Sequence, residues 1–324
     1  MKDINDLQLM IDEEIRKQYR ILEPRELYEP MWYALSNGGK RLRPVFVMMG
    51  CQLFSDELHK ATLPALGIEM FHNFTLLHDD IMDQAFMRRN LPTVHIKWDV
   101  NRAILSGDAL AIQANIFISS CDKEVLPDVL RVFNSTALQV CEGQQYDLNF
   151  ERLDNVSVAD YMNMIRLKTA VLIAGSLQIG ALLGGADPLW ASRVYNLGDR
   201  IGMAFQLQDD YLDTFGNPLT FGKNIGGDIV ANKKTYLLIK ARELANPLQL
   251  MILKKYFDSE DFDPEEKIAS VKKVFKDLGV DREIVEKVHE YSNQALEILN
   301  EIPASLPRKV ELEKFTRNLM DRIR

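Results

Sequence analysis

Two five-residue stretches repeat one pattern of carboxylates: Asp79-Asp80-Ile81-Met82-Asp83 and Asp209-Asp210-Tyr211-Leu212-Asp213. On a helix, residues four apart lie one turn apart on the same face, which stacks Asp79 near Asp83 and Asp209 near Asp213. Like charges at that spacing oppose one another by about 0.2–0.5 kcal/mol on an exposed helix, and by more where apolar neighbours draw them inward. A positive partner must offset that repulsion. Hard divalent cations prefer oxygen donors, and Mg2+ keeps several waters and bridges one or two carboxylates to phosphate oxygens. With 26 Asp in 324 residues, chance placement gives about 0.2 such patterns per chain, so two are not a by-product of composition.

A phosphate-bearing ligand also needs direct cationic partners, and the sequence holds several at turns or close to the aspartates. Gly38-Gly39-Lys40-Arg41-Leu42-Arg43-Pro44 joins a flexible turn to three cations, a suitable anion-binding corner. Arg88-Arg89 follows Asp83 by five and six residues, and a guanidinium can donate two bonds at once to phosphate oxygens. Lys168-Thr169, Lys223 within Gly222-Lys223-Asn224-Ile225-Gly226-Gly227-Asp228, and Lys233-Lys234-Thr235 come later. Taken singly, each basic pair reads as a solvated surface feature; their company with the aspartates gives them a role. The stretch from Gly216 to Lys223 imitates a nucleotide phosphate loop, but five residues separate its glycines and Asn224 stands where Ser or Thr is required.

The elements that must carry these groups read as long helices. Leu66, Met70, Phe74, Leu77 and Ile81 follow steps of three and four, as do Val194, Leu197, Ile201 and Phe205, with Leu212 two turns on. Both stripes run into the aspartates. From about Asp258 the chain is richer in Lys and Glu, with Ile284, Val288, Tyr291, Ala295 and Leu299 at helical spacing, which predicts peripheral helices over the core. The uncharged run Ala170 to Ala186 is broken by Gly175, Ser176, Gln178, Gly180 and Gly184-Gly185, so it is expected to be a buried, closely packed helix and no transmembrane segment. No repeat or linker divides the chain, and residues 1–324 are expected to form a single domain. A formal charge of -8 argues against a nucleic-acid partner. Cys51, Cys121 and Cys141 lack metal-like spacing and read as reduced core filler in a cytoplasmic protein. The acidic N-terminus has no secretory apolar core.

From about Asn37 to Thr235 these motifs closely resemble the trans-isoprenyl diphosphate synthases, or polyprenyl synthetases. The resemblance rests on the Gly38–Pro44 stretch, both aspartate patterns, Arg88-Arg89, Gly143-Gln144, Lys168-Thr169, Phe205-Gln206 and Gly222-Lys223, in that order. It implies an all-α fold, a helical bundle around a deep central cavity, usually homodimeric. It also implies three Mg2+ ions, with Mn2+ an acceptable substitute, joining the aspartates to an allylic diphosphate. Asp79, Asp83 and Asp209 are then the leading metal ligands, supported by Asp80, Asp210 and Asp213 directly or through water. Lys40, Arg43, His72 and Arg89 would bind isopentenyl diphosphate. Arg88, Lys168, Thr169, Gln206, Lys223 and Lys233 would contact the allylic diphosphate. Asn90 departs from the glycine usual after the double arginine. The basic end at Arg322 and Arg324 matches the family's closing tail poorly.

By the same resemblance Phe74, five residues or about 7.5 Å of helix before Asp79, is a floor for the growing chain, with Phe71 and Thr75 beside it. No residue is inserted between Asp79 and Asp83, which suits a product of fifteen to twenty carbons, twenty favoured. Two other readings remain at this point. Glu69-x-x-His72 and Glu286-x-x-His289 have the helical spacing of a di-iron carboxylate site. Terpene cyclases and head-to-head synthases use similar helices and metals, although Lys40, Arg43 and Arg89 favour chain elongation.

Overall fold

The computed structural model describes residues 1–20, 22–217, 225–258 and 262–321. Lys223, with Gly222, Arg322 and Arg324, lies outside the described residues. The chain forms two compact units, each assembled from three separate stretches: 1–135, 175–195 and 302–311 in the first, and 136–174, 196–301 and 312–324 in the second.

In the first unit α1 (Ile4–Gln18), α2 (Arg25–Ser36), α3 (Leu42–Phe54), α4 (His59–Met82), the short α5 (Val94–Lys97) and α6 (Val100–Ile118) follow one another. The aspartate-bearing α4 packs most extensively along α6, and also on α3. Its predicted stripe is buried at Leu66, Met70 and Leu77, while Phe74 and Ile81, nearer the carboxyl end, are half-buried. Asp83 caps that end, its N–H donating to the Asp79 carbonyl at 2.8 Å.

Between α4 and α5 the structure holds an element the helical reading omits, a hairpin of β1 (Met87–Arg88) and β2 (Leu91–Pro92). Its two-residue turn is Arg89 (φ 53°) and Asn90 (φ 62°), the double left-handed conformation that suits the twist of a tight hairpin. Asn tolerates that region well, so the departure from glycine leaves the turn intact.

The second unit contains most of α7 (Leu126–Arg152), α8 (Val158–Ile165), a single π-helical turn (Arg166–Ala170) and the later part of α10 (Pro188–Phe215). A capping box starts α8: Ser157 Oγ accepts from the Asp160 N–H at 3.1 Å, and the Asp160 carboxylate accepts from the Ser157 N–H at 3.3 Å. The π turn leads into α9 (Val171–Leu183). The continuous span Val158–Leu183 has the length and apolarity of a membrane-crossing helix, yet 83% of its most apolar window is buried within the protein. Its small residues explain that packing, as expected for the uncharged run. The acidic, lysine-rich last quarter forms helices Pro264–Leu278 and Val280–Glu301, with Ile284, Val288, Ala295 and Leu299 buried. Cysteine is core filler only at Cys51, where burial pushes the thiol up to about 11. Cys121, in the loop after α6, is half-buried, and Cys141 is exposed.

Candidate active site

In the first unit the carboxyl end of α4, the hairpin and the Gly38–Arg43 corner supply the functional groups. Asp80, 4% exposed, takes two bonds from Arg88: Nε and Nη2 both lie 2.7 Å from Oδ1, and Nη2 is 3.6 Å from Asp79 Oδ2. The tight turn folds Arg88 back toward the helix that precedes it. Burial pushes the Asp80 carboxyl up, and the Arg88 guanidinium opposes that rise. Asp79 stays half-buried and Asp83 exposed, so the outer two carboxylates of the pattern are the accessible ones. The hairpin, α2 and α4 line a small, partly open cleft with Tyr33, Asn37, Asn73, Asp80, Arg88 and Arg89, among others.

The glycine corner is shaped for Arg89. Gly38 (φ 70°) and Gly39 (φ 123°) hold backbone conformations that side chains oppose. A Cβ on Gly39 would stand 2.7 Å from the Arg89 guanidinium, which donates to the Gly38 carbonyl. Arg43 on α3 and His72 on α4 meet at 3.1 Å between Nη1 and Nε2. Burial first, then the charges of Arg43, Arg89, Arg88 and Arg41, holds the His72 imidazole well below its ordinary range, so it is neutral. Lys40 stands at the same corner, its carbonyl accepting from Gln8 at 2.5 Å.

Arg41, the middle cation of that corner, faces inward. It is 6% exposed, donating to Glu69 at 2.7 Å, to Asp12 at 3.0 Å and to the Leu35 carbonyl at 2.6 Å. Glu69 Oε1 also accepts from Asn73 at 3.1 Å. With Glu69 Oε1 committed to Arg41 and Asn73, and His72 Nε2 to Arg43, the Glu69-x-x-His72 spacing serves the corner.

On α4 above these groups, the Phe71 ring lies 5.5 Å from both Phe74 and Phe133, and the Phe74 ring lies 4.8 Å from His78. Phe71 is buried while Phe74 keeps part of its face accessible. Thr75 turns its hydroxyl to the His72 carbonyl at 2.8 Å.

In the second unit the π turn presents Lys168 and Thr169. Gly143 on α7 allows this: a Cβ there would stand 2.6 Å from the Leu167 carbonyl carbon and 2.7 Å from Lys168 Cα. The extra residue of a π turn re-aims side chains at functional sites, and here it sets Lys168 Nζ 2.6 Å from Asp147. Thr169 donates to Gln206 at 2.9 Å, and Gln206 donates to Asp210 Oδ1 at 3.0 Å. The Tyr161 hydroxyl donates to the other oxygen of Asp210. Asp210 is 4% exposed; burial, with the nearby Asp228 charge, pushes its carboxyl well up. Asp209 and Asp213 are half-buried. Asp213 Oδ2 accepts the Asp228 N–H at 3.0 Å, and Asp228 in turn accepts the Lys233 N–H at 2.9 Å, so the lysine follows a segment docked on the aspartate helix.

Tyr161, Asp147 and Asn73 were not singled out as site residues by the sequence, which carries no spacing signal for the first two, and Glu69 was singled out only through its di-iron spacing with His72. Lys234 donates to the carbonyls of Phe150 and Leu153, closing the end of α7. Among the described residues no three His, Cys, Asp or Glu side chains already form a metal cluster. Oxygen-only carboxylates open at each helix end do suit a hard cation that takes one or two protein ligands and completes its shell with water and phosphate.

Accessible carboxylates ending two long helices, each beside cations able to hold phosphate, define an all-α enzyme that works on a diphosphate ester. The polyprenyl synthetase family profile matches residues 24–278. A geranylgeranyl pyrophosphate synthase of Geoglobus acetivorans is 37% identical over 306 residues, 93% of each chain. A crystal structure of a geranylgeranyl pyrophosphate synthase aligns with a TM-score of 0.94 at 43% identity, over 99% of both chains. That of the Corynebacterium glutamicum geranylgeranyl pyrophosphate synthase, complexed with isoprenyl diphosphate and magnesium, aligns at 0.84 and 26% identity over 98% of this chain and 97% of that one. The chain belongs to the polyprenyl synthetase family and is a trans-prenyltransferase of isoprenoid biosynthesis.

Proposed function

We propose that this chain is a short-chain isoprenyl diphosphate synthase. It condenses isopentenyl diphosphate head to tail with an allylic diphosphate to give a product of fifteen to twenty carbons, twenty favoured. The observation that carries the reading is the shared build of the two aspartate patterns. In each, the second carboxylate is buried and bonded inside the protein, while the outer two stay accessible. Residues 1–324 act as one prenyl synthase domain in this reading, since both units draw on discontinuous chain.

Asp79 and Asp83, with Asp209 and Asp213, would hold Mg2+, three ions by the family resemblance and with Mn2+ as substitute; the metal supplies charge that stabilises the departing diphosphate. Lys168, Thr169, Gln206 and Lys233, with Lys223, hold the allylic diphosphate. Lys168 gives Asp147 one of its three N–H donors. Arg88 uses two of five donors on Asp80, which leaves three for phosphate oxygens. Lys40, Arg43, Arg89 and neutral His72 hold isopentenyl diphosphate. Departure of the allylic diphosphate leaves a carbocation, the isopentenyl double bond attacks it, and the released diphosphate takes the proton lost in forming the new alkene. Apolar walls exclude the water that would trap the cation as an alcohol.

The reading includes a homodimer. Leu105, Ile112 and Ile116 are exposed along one stripe of α6, the kind of apolar face a second copy would cover. It also includes a cytoplasmic setting, which suits three free thiols.

Incubation with Mg2+, isopentenyl diphosphate and allylic primers of increasing length, followed by product mass, tests the reading. Prenyl diphosphates ending at fifteen to twenty carbons are expected, and simultaneous Asp79→Ala and Asp209→Ala should abolish them. Turnover unaffected by that double change, or hydrocarbon products, would refute it.

A further inference from the structure

Helix Pro264–Leu278 carries a lysine where an amphipathic helix keeps an apolar residue. Lys267 is 0% exposed, and among the described residues no carboxylate pairs with it. Burial alone acts on its ammonium, pulling its pKa down. Lys is almost never fully buried unless paired, and a methionine of similar length would fill the same space without desolvation.

What holds the ammonium is specific. Nζ donates to the side-chain oxygen of Asn232 and lies 3.5 Å from the Val230 carbonyl. It stands 3.9 Å from the ring centroid of Phe262 and 5.0 Å from that of Phe257, so two aromatic faces replace part of its hydration.

Both oxygens lie on the segment that follows the second aspartate pattern. Its start is docked on Asp213: the Gly226 N–H donates to the Asp213 carbonyl at 2.6 Å, and the Asp228 N–H to Asp213 Oδ2 at 3.0 Å. Short helix Gly227–Val230 follows, and Lys267 sits at its carbonyl end, where a cation is favourable. Asn232 then takes a left-handed turn (φ 57°) and is followed at once by Lys233. Neighbouring Ile268 bears on Gly226, where a Cβ would stand 2.8 Å from its side chain. Two successive residues of one helix therefore grip the segment at both ends.

We propose that Lys267 is a positioning residue: through Asn232 it fixes the backbone that delivers Lys233 and braces Asp213, and so sets affinity for the allylic diphosphate without touching it. The inference rests on the reading of Lys233 as an allylic-diphosphate ligand. A lysine that merely filled the core would lower stability when replaced and leave the two substrates' KM values in proportion.

The test compares Lys267→Met, Asn232→Gly, their combination and Lys233→Ala in the full chain, measuring KM for each substrate separately. Asn232→Gly keeps the left-handed turn, removes the acceptor, and leaves the core helix untouched should Lys267→Met fold poorly. Each single change should raise the allylic KM about tenfold, the loss of one hydrogen bond to a charged group, with the isopentenyl diphosphate KM moving less than about twofold. The double variant should be no worse than the worse single, because both break one link. An allylic KM unchanged in Asn232→Gly, equal rises for both substrates, or additive effects would overturn the proposal. Lys233→Ala separates the two claims. An unchanged allylic KM there removes Lys233 as a ligand and the inference with it; a raised KM, with Lys267→Met and Asn232→Gly silent, overturns the inference alone.

Discussion

Gly143→Ala should cost this enzyme far more activity than stability. The added methyl would stand 2.6 Å from the Leu167 carbonyl carbon and 2.7 Å from Lys168 Cα, and closer still to Lys168 N. Carbon pairs are comfortable at about 3.5–4.0 Å, so α7 and the π turn must separate by roughly 1 Å. The obstructing atoms are backbone and cannot rotate aside, which places the overpacking cost in the range of about 1–3 kcal/mol. Alanine returns about 1 kcal/mol of helix propensity against that. The net loss is about 0–2 kcal/mol, a Tm drop of at most a few degrees for a chain this long. Catalysis is less forgiving, since the turn that moves carries Lys168 and Thr169, and a 1 Å misplacement can cost about a hundredfold. Steady-state kinetics with both substrates, beside a thermal melt, give the answer. A Tm that rises by the propensity gain, with kcat/KM unchanged, would show that Gly143 is not spacing the π turn and refute the argument.

Arg41→Met strands the Glu69 carboxylate in the interior and should destabilise the fold by about 3–5 kcal/mol in urea titrations; a loss below about 1 kcal/mol would mean Glu69 finds another partner. His72 is held neutral in the folded protein, whereas the unfolded chain takes up its proton near the ordinary imidazole value of about 6.5. Stability is therefore lost as pH falls below about 6.5. His72→Gln should shrink the Tm difference between about pH 7.5 and 5.5, and an undiminished difference would contradict that burial. Phe74→Ala should lengthen the product, read by mass spectrometry of the prenyl chain; an unchanged distribution would free Phe74 from any role as a floor.

Periodicity makes the helices legible: the stripes through Leu66, Met70 and Leu77, and through Val194, Leu197 and Ile201, are buried as spaced. The aspartate patterns fall at helix ends for the same reason. What periodicity misses are features that depend on non-local backbone. The hairpin at 87–92 needs two left-handed residues, which Arg89-Asn90 does not advertise as Asn-Gly would. The π turn is invisible without the α7 glycine that packs against it. Arg41 looks like its neighbours Lys40 and Arg43 in sequence, yet a left-handed φ of 46° turns it into the core. Tyr161 meets Asp210 from 49 residues away, a pairing that no local pattern encodes.

The second aspartate of each pattern serves as an anchor, and this bears on transplanting such a motif into another helix. Grafting five residues alone would carry the accessible D-x-x-x-D spacing but leave its inner carboxylate charged and unsupported in apolar surroundings, a destabilised host. The transferable module includes the anchor's partner: the hairpin arginine in one case, the tyrosine and glutamine in the other. A designer choosing between them would be choosing how the inner acid is kept quiet, by a counter-charge at Asp80 or by hydrogen-bond donors at Asp210.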